Sequence, residues 1–234
     1  YKKGKKIGKW NYYSETGNKE SVISYINDSK DGKSVYYHSN SRKKEREESW
    51  KRNLENGLWV WWNEDGKKNQ EGNYRSGQQH GTWINYNEKG RKIEESQWKN
   101  GELFGKTTLW DKNGNKTILK SFKEDEKDGL WIWWSPNGKK VKEGNFKLGD
   151  KNGKWTYYHA NGKKKRLENY KLGKKNGKLI VWFENGQKER EESYKNDEKH
   201  GKWTYWFENG RLDKEEKYTN GVQTDGKHYD YFDN

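Results

Sequence analysis

Residues 153–171 read Gly-Lys-Trp-Thr-Tyr-Tyr-His-Ala-Asn-Gly-Lys-Lys-Lys-Arg-Leu-Glu-Asn-Tyr-Lys, and this stretch decides the fold because versions of it recur along the chain. Its leading glycine returns every 24 residues, with a single 25-residue step, at Gly8, Gly32, Gly57, Gly81, Gly105, Gly129, Gly153, Gly177 and Gly201. A fixed period of this size indicates a repeat protein, in which each repeat is one supersecondary unit that its neighbours stabilise. Repeat positions are numbered below from this glycine, as position 0.

Each repeat contains the chemistry of two strands and two turns. Positions 2 to 6 are aromatic or β-branched, which is typical of a strand. An Asn-Gly pair such as Asn161-Gly162 follows, and this pair predicts a type I′ hairpin turn because both residues accept positive φ. A second strand runs from position 10 to 18 with an aromatic residue at position 17, and a second Gly, Asn and Lys cluster reverses the chain again.

These observations predict an all-β protein: an elongated, single-layer, twisted antiparallel sheet built from about nine 24-residue β-hairpin repeats. We expect residues 1–234 to form a single repeat domain, with repeats beginning near residues 8, 32, 57, 81, 105, 129, 153, 177 and 201 and a partial terminal strand over 226–234. The residue inserted in the second repeat predicts a bulge or a lengthened turn between Ser41 and Trp50.

The composition favours a thin, highly solvated fold. Only 27% of the residues are hydrophobic and 37% are charged, which on their own are typical of disorder. The aromatic content of 16% indicates folding instead, because each large ring removes roughly 150–250 Å² from water.

Cysteine is absent, which excludes disulfides, zinc fingers and thiol catalysis and leaves the compartment open. The longest apolar runs have five residues, too few for a transmembrane helix. The chain begins at Tyr1 and contains no methionine, so we expect a mature or trimmed fragment.

The repeat unit resembles the MORN repeat family, and more closely the bacterial variant found in YwqK-like antitoxins. The resemblance covers nearly the whole chain and includes the second-half motif at 71–74 and 143–146. The glutamate of that motif is replaced by Val22, Leu119 and Leu167 in three repeats. The resemblance implies a single-layer sheet of hairpins that serves as a binding or scaffolding surface, with roles at membranes and in toxin–antitoxin pairs. It also implies a bacterial protein, which we expect to be secreted or part of the cell envelope, with the cytoplasm as the alternative.

No residue pattern indicates catalysis, a metal or a cofactor. The five histidines, His38, His80, His159, His200 and His228, are expected to be solvated loop residues, since none has a metal-binding partner at a suitable interval. Paired carboxylates such as Glu191-Glu192 are expected on opposite strand faces, which argues against a general acid/base pair. We therefore predict that the protein is not an enzyme and has no catalytic, cofactor-binding or metal-binding residues.

Two near-copies of a tryptophan triplet are the candidate partner-binding residues: Trp59, Trp61, Trp62 and Trp131, Trp133, Trp134. Exposed rings of this kind anchor partner proteins or stack on sugars. The alternative is that they pack within the sheet, which is favoured because other repeats place Tyr, Leu or Val in the same slots.

Basic clusters such as Lys163-Lys164-Lys165-Arg166 are the second candidate. The formal net charge is +14, which favours acidic partners, but acidic residues are interleaved throughout and no continuous basic stripe is present. We expect these lysines to solvate the sheet edges and deter edge pairing, with anion binding as the alternative. Nucleic acid is therefore not an expected partner.

The sequence thus predicts a non-enzymatic repeat scaffold that mediates protein–protein interaction, with an antitoxin-like or immunity-type bacterial partnership as its specific form. The alternative is a cell-surface module that binds carbohydrate or an anionic lipid or polymer through exposed Trp and Lys side chains. End-to-end self-association through the first and last strands is a further expectation.

Overall fold

The computed structural model describes residues 1–229, and within them every regular element is a β-strand. The strands belong to one antiparallel sheet of 25 strands. The predicted all-β, single-layer hairpin architecture is therefore confirmed. The strands are β1 (Gly8–Tyr13), β2 (Lys19–Ile26), β3 (Ser29–Lys30), β4 (Gly32–Tyr37), β5 (Lys44–Lys51), β6 (Leu54–Glu55), β7 (Gly57–Trp62), β8 (Lys68–Arg75), β9 (Gln78–Tyr86), β10 (Lys92–Lys99), β11 (Glu102–Leu103), β12 (Gly105–Trp110), β13 (Lys116–Lys123), β14 (Glu126–Lys127), β15 (Gly129–Trp134), β16 (Lys140–Lys147), β17 (Asp150–Tyr158), β18 (Lys164–Lys171), β19 (Lys174–Lys175), β20 (Gly177–Trp182), β21 (Lys188–Lys195), β22 (Glu198–Lys199), β23 (Gly201–Trp206), β24 (Leu212–Thr219) and β25 (Val222–His228).

The hairpin of β17 and β18 shows how one repeat is built. Its register places Gly153 opposite Tyr170, Trp155 opposite Glu168 and Tyr157 opposite Arg166. Because side chains alternate across a strand, positions 2, 4, 13, 15 and 17 share one side of the sheet and positions 3, 5 and 14 share the other.

The Asn-Gly turns differ from the prediction, because they are not two-residue type I′ turns. In the turn after β17, the His159 N–H donates to the Lys163 carbonyl at 2.9 Å and the Gly162 N–H donates to the His159 carbonyl at 2.9 Å. Only Gly162 has positive φ there, and the pairing register shifts next to Tyr158. This is a three-residue loop with a type I turn, a left-handed glycine and a bulge. Asn161 contributes its side chain, whose Oδ1 accepts from the Lys163 N–H at 2.8 Å.

The type I′ geometry lies instead in the turns that join consecutive repeats. Leu172 and Gly173 have φ of 47° and 81°, and Lys171 pairs with Lys174 across them. Ten such pairs of positive-φ residues recur along the described chain, and four of them lack glycine: Asn27–Asp28, Arg52–Asn53, Glu124–Asp125 and Asn196–Asp197.

The inserted residue of the second repeat lengthens the turn between β4 and β5. The His38 N–H donates to the Lys43 carbonyl, one residue further along the chain than in the β17–β18 turn. Arg42 takes the glycine's place, with φ of 56°. The loop therefore occupies residues 39–42. It overlaps the predicted range, Ser41 to Trp50, only at residues 41 and 42.

The contacts within the chain define two compact units. The first contains residues 1–116 with 122–125, and the second contains residues 117–121 and the chain from residue 126 onward. At the C-terminal end, β25 pairs with β24. The expected terminal strand over 226–234 overlaps β25 at its start, and its remainder lies outside the described residues.

Candidate interaction surfaces

In every repeat we call face 1 the side that carries positions 2, 4, 13, 15 and 17, and face 2 the side that carries positions 3, 5 and 14. Five position-2 tryptophans of face 1 are the largest side chains of the core: Trp59, Trp83, Trp131, Trp155 and Trp203. Trp83, Trp155 and Trp203 are only 4%, 2% and 3% exposed. Their indole N–H groups each donate to a backbone carbonyl ten residues earlier, as from Trp155 to Asn145 at 3.0 Å. These rings are therefore fixed by both burial and hydrogen bonding.

The structure separates the six candidate tryptophans. Trp59 and Trp131 are position-2 residues, 8% and 7% exposed, and their indole N–H groups donate to the Ser49 and Ser121 carbonyls. Their burial leaves little ring surface for a partner. The other four, at positions 4 and 5, are half-buried: Trp61 and Trp133 on face 1, and Trp62 and Trp134 on face 2.

Lysine and arginine side chains cover many of the face 1 rings, which sequence inspection missed. Lys142 lies over the Trp133 ring at 4.3 Å, Arg166 over Tyr157 at 4.2 Å and Lys214 over Tyr205 at 4.4 Å. These cations come from position 13, directly opposite the ring at position 4. Cation–π contacts of this kind contribute roughly 0.5–1 kcal/mol at exposed sites and more when desolvated.

A second set of lysines lies two residues before the leading glycine. Lys127 is 5.5 Å from the Trp131 ring and 5.2 Å from the Phe146 ring. Lys151 is 4.5 Å from Trp155, and Lys199 is 4.3 Å from Trp203. The signal was available in the sequence, because lysine recurs at this position of the repeat.

The rings around Trp61 lack both the cation from position 13 and the lysine two residues before the leading glycine. The residue opposite Trp61 on β8 is Gln70, and Glu55 and Gln79 stand where other repeats carry lysine. Gln70 donates to the Asn85 Oδ1 at 2.8 Å, and Asn85 donates to the Glu94 Oε2 at 3.1 Å. The rings themselves are contiguous, with centroid separations of 5.0–5.9 Å among Trp59, Trp61, Tyr74 and Trp83. We call these four rings, with Glu55, Gln70, Asn85 and Glu94, the Trp61 patch.

Net charge is also distributed unevenly. Residues 55–104 contain eight acidic and seven basic residues, whereas residues 127–176, an equal length around the near-copy, contain four acidic and fourteen basic. The Trp61 patch is therefore embedded in a neutral to acidic part of a basic protein.

Face 2 is lined with lysine–glutamate clusters. Glu191 accepts from Lys178 at 2.5 Å and from Lys188 at 2.6 Å. The hydrogen bond from Lys178, followed by that from Lys188, lowers the pKa of Glu191. Elsewhere Tyr158 donates to Glu143, and burial together with this hydrogen bond raises the pKa of Tyr158 to about 12.

Face 1 also contains buried carboxylates with fixed partners. Glu48 is 4% exposed and accepts from the Arg46 Nε at 2.8 Å and from the Trp50 Nε1 at 2.9 Å. Glu192 accepts from the Tyr194 hydroxyl at 2.8 Å, whereas the adjacent Glu191 bonds lysines on face 2. The two members of this carboxylate pair thus bond different sets of partners, on opposite faces.

The structure contradicts the expectation of solvated loop residues for four of the five histidines. His80 lies in β9 and His200 directly precedes β23; both are half-buried, and the Nδ1 atom of each is buried. The His159 side chain is 10% exposed, and its Nε2 lies 2.8 Å from the Trp182 carbonyl of the next repeat. His38 makes the equivalent contact to Trp62 at 2.9 Å. His38 and His159 bridge neighbouring turns, which is possible because turns of successive repeats stack side by side.

The basic cluster at 163–166 also has structural contacts. Lys163 donates to the Asn185 carbonyl at 2.8 Å, and Arg166 stacks on Tyr157. Among residues 1–229, no group of three or more His, Cys, Asp or Glu side chains is arranged to hold a metal ion. The same range contains no helix of the length and apolarity needed to cross a membrane.

The family profile described as "MORN repeat variant" matches residues 55–76, 127–148, 151–172, 175–196 and 199–220. Comparison with curated proteins gives no match.

Among solved structures, the chain is similar to the TcdB2–TccC3 complex at 10% identity and a TM-score of 0.23, over 94% of this chain. It is similar to the Photorhabdus luminescens Tc holotoxin pore at 11% identity and a TM-score of 0.23, over 95% of this chain. The chain spans 16% of the length of each of these structures.

Proposed function

Because the chain is a repeat protein of the MORN repeat variant family, we propose that it is a non-enzymatic scaffold that binds another protein through the half-buried rings of its sheet faces. The observation that carries the proposal is the single layer itself. Within residues 1–229 no helix or second sheet packs on either face, so Trp61, Trp62, Trp133 and Trp134 keep part of their surface in contact with solvent. Half-exposed aromatic rings next to polar groups are typical of residues that anchor protein partners.

The specific form that we propose is one member of a bacterial pair, in an antitoxin-like or immunity-type role. The support for this form is the resemblance of the repeat to those of YwqK-like antitoxins. The rings, and not the lysine–glutamate clusters, are the proposed contacts, because most of those charges already pair with one another on face 2.

A second candidate function rests on the basic second unit. Fourteen basic residues between 127 and 176 favour an anionic lipid or polymer. Carbohydrate remains the other ligand of this alternative, through stacking on Trp133 or Trp134.

Binding measurements on ring variants separate these functions. A partner protein identified by cross-linking in the native source is titrated against the wild type, Trp61→Ala, Trp62→Ala, Trp133→Ala and Trp134→Ala. We expect at least one variant to lose about tenfold or more in affinity with an unchanged β-sheet spectrum, as removal of a hot-spot ring does.

Salt gives the control. Ring-mediated protein binding should persist between low and moderate ionic strength, whereas binding of anionic vesicles or polymers through lysines should weaken steeply. The proposal would be contradicted by two results together: tight, salt-sensitive binding of anionic polymers, and failure to find a partner protein whose binding depends on the rings. Sedimentation of the isolated chain tests end-to-end self-association as the alternative protein contact.

A further inference from the structure

The Trp61 patch lacks the lysines that lie over the equivalent rings of its near-copy in the second unit. Around Trp133, Lys142 lies over the ring at position 4, and Lys127 lies beside the rings of Trp131 and Phe146. Around Trp61 the equivalent residues are Gln70 and Glu55. The strand that carries the rings is closely matched, since 57–62 reads Gly-Leu-Trp-Val-Trp-Trp and 129–134 reads Gly-Leu-Trp-Ile-Trp-Trp. Two further lysines of the near-copy are replaced as well: Lys120, 5.8 Å from the Trp131 ring, by Glu48, and Lys151, 4.5 Å from the Trp155 ring, by Gln79. In the preceding strand, Arg46 stands where the near-copy has Ile118.

The ring geometry is conserved between the two copies. The Trp59–Trp61 and Trp131–Trp133 centroids are both 5.6 Å apart. Trp61 is 5.9 Å from Trp83, and Trp133 is 5.9 Å from Trp155. The same aromatic surface is therefore built twice, once with lysines over it and once without them.

Charged groups near the Trp61 patch favour a cation. Glu55 lies at the Tyr74 end, close enough that its charge adds to burial in raising the pKa of Tyr74. Glu94 ends the hydrogen-bonded row that begins at Gln70. On the other neighbouring strand, β5, the residue opposite Trp61 is Arg46, which stacks on Tyr36 at 3.9 Å and donates to Glu48 at 2.8 Å.

We propose that the Trp61 patch binds a basic segment of a partner protein, with one Lys or Arg side chain over Trp61 and a second near Glu55 beside the half-buried Tyr74 ring. This inference rests on the proposed protein-binding function and names the chemistry of the partner. The intramolecular lysines of the near-copy, Lys142 and Lys127, show where the two cations lie. The net charge of the whole chain does not oppose this contact strongly, because charges beyond about 8 Å are largely screened at physiological salt.

The test exchanges residues between the copies. The variant Glu55→Lys with Gln70→Lys supplies the two cations from within, as the near-copy does. The reciprocal variant, Lys127→Glu with Lys142→Gln, gives the near-copy the Trp61 patch residues at these two positions, and it also carries Lys120→Glu and Lys151→Gln to remove the two other lysines that lie over the rings. Both variants use side chains that the repeat already tolerates at these positions, and an unchanged β-sheet spectrum and melting temperature verify the fold.

The probe is a synthetic twelve-residue peptide in which Lys and Arg alternate with Ala, at about 0.15 M salt. A matched peptide with Glu, a chito-oligosaccharide and vesicles containing phosphatidylglycerol are the other arms. Binding is followed by calorimetry and by the ¹⁵N–¹H signal of the Trp61 indole, which Trp61→Phe assigns.

We expect the basic peptide to shift the Trp61 indole signal and the other three probes to leave it in place. The Glu55→Lys, Gln70→Lys variant should bind the peptide about tenfold more weakly or worse, since two cation–π contacts and a carboxylate are lost. The reciprocal variant should gain a second peptide site, seen as a shift of the Trp133 indole.

Equal binding of the basic peptide by the wild type and the Glu55→Lys, Gln70→Lys variant would overturn the inference, as would a Trp61 shift produced only by the sugar, the acidic peptide or the vesicles. If the basic peptide does not bind, but binding of a partner protein still depends on Trp61, Trp62, Trp133 or Trp134, the inference is wrong and the proposed function stands. If the peptide binds as expected but no partner protein depends on these rings, the proposed function fails instead.

Discussion

At the residue scale, two glycines are required by the rings of the following repeat and not by their own backbone. Gly72 and Gly144 do not have positive φ. A Cβ added at Gly72 would lie 2.1 Å from Trp83, and one at Gly144 would lie 2.2 Å from Trp155. Each of these two indoles therefore lies directly on a glycine of the neighbouring strand, where its ring packs against the backbone.

Gly72→Ala should lower the free energy of unfolding by about 1–3 kcal/mol, because overpacking a dense site forces side chains or backbone to move. Urea unfolding at constant m-value measures the change. In a protein that already carries Trp83→Ala, the Gly72→Ala substitution should lower the free energy of unfolding much less, because the indole ring with which the new methyl group clashes is absent. Strict additivity of the two substitutions would show that the ring does not enforce the glycine.

Tyrosine ionisation gives a second residue-scale prediction. Burial, together with the bond to Glu143, raises the pKa of Tyr158 to about 12 from an ordinary value of 10.0. A folded-state pKa above the unfolded value contributes stability that is complete below about pH 10 and is lost as the pH rises towards 12.

The measurement is an ultraviolet titration of tyrosinate. Tyr158→Phe should remove one residue from the late-titrating group of the 16 tyrosines and reduce the alkaline loss of stability between about pH 10 and 12. Tyr13→Phe, an exposed tyrosine at the same repeat position, is the control. Loss of an early-titrating tyrosine in the Tyr158 variant would contradict the burial argument.

At the element scale, the turns between repeats form a second line of contacts beside the sheet. The Asp197 N–H donates to the Lys175 carbonyl at 2.9 Å, and the Asp197 Oδ1 accepts from the Lys175 N–H at 2.7 Å. Asp28, Asn53 and Asp125 bond the preceding turn in the same way. Where glycine is the second positive-φ residue of the turn, as at Gly173, only the backbone hydrogen bond to the preceding turn is present. Aspartate and asparagine thus offset their left-handed strain with an extra hydrogen bond.

Asp197→Ala should destabilise the protein by about 1–2 kcal/mol, because it loses the side-chain hydrogen bond and keeps the positive φ. Asp197→Asn should retain most of the stability, and Asp197→Gly should lie between the two. Thermal unfolding of the three variants checks this order. An alanine variant as stable as the glycine variant would show that the left-handed backbone is not strained there.

At the scale of the whole molecule, the repeated lysine–glutamate clusters couple stability to acid pH. Hydrogen bonds from Lys33 to Glu47 and from Lys178 to Glu191 are the main cause that lowers the pKa of each carboxyl. A depressed folded-state pKa contributes stability that is present above the ordinary value of about 4.5 and is lost as the pH falls through the folded value.

We therefore expect the melting temperature to fall between about pH 5 and pH 3, and to fall less in Glu47→Gln with Glu191→Gln than in the wild type. High salt should shrink the difference, because these lysines are largely exposed and their pairs are screened. Glu64→Gln, in an exposed turn, is the control. Identical acid profiles for wild type and double variant would remove these carboxylates as the cause.

The sequence by itself determined the repeat, the two strands per unit and the antiparallel single layer, because these follow from local signals: the glycine period, the aromatic and β-branched runs and the turn residues. It also separated Glu191 from Glu192 correctly, since strand alternation is a rule of the backbone. The same local pattern indicated the MORN repeat variant, whose profile matches five of the repeats.

Only the tertiary structure decided the turn types and which rings are covered. Asn-Gly suits both a two-residue type I′ turn and a three-residue loop with a left-handed glycine, and the strand register that selects between them is not local. Burial of a ring depends on side chains of the adjacent repeat, such as Gly72 beneath Trp83 or Lys142 over Trp133. In a one-layer sheet, the core forms between the side chains of neighbouring strands. A tryptophan at a given repeat position is therefore buried in one repeat and partly exposed in another, as Trp83 and Trp10 are at position 2.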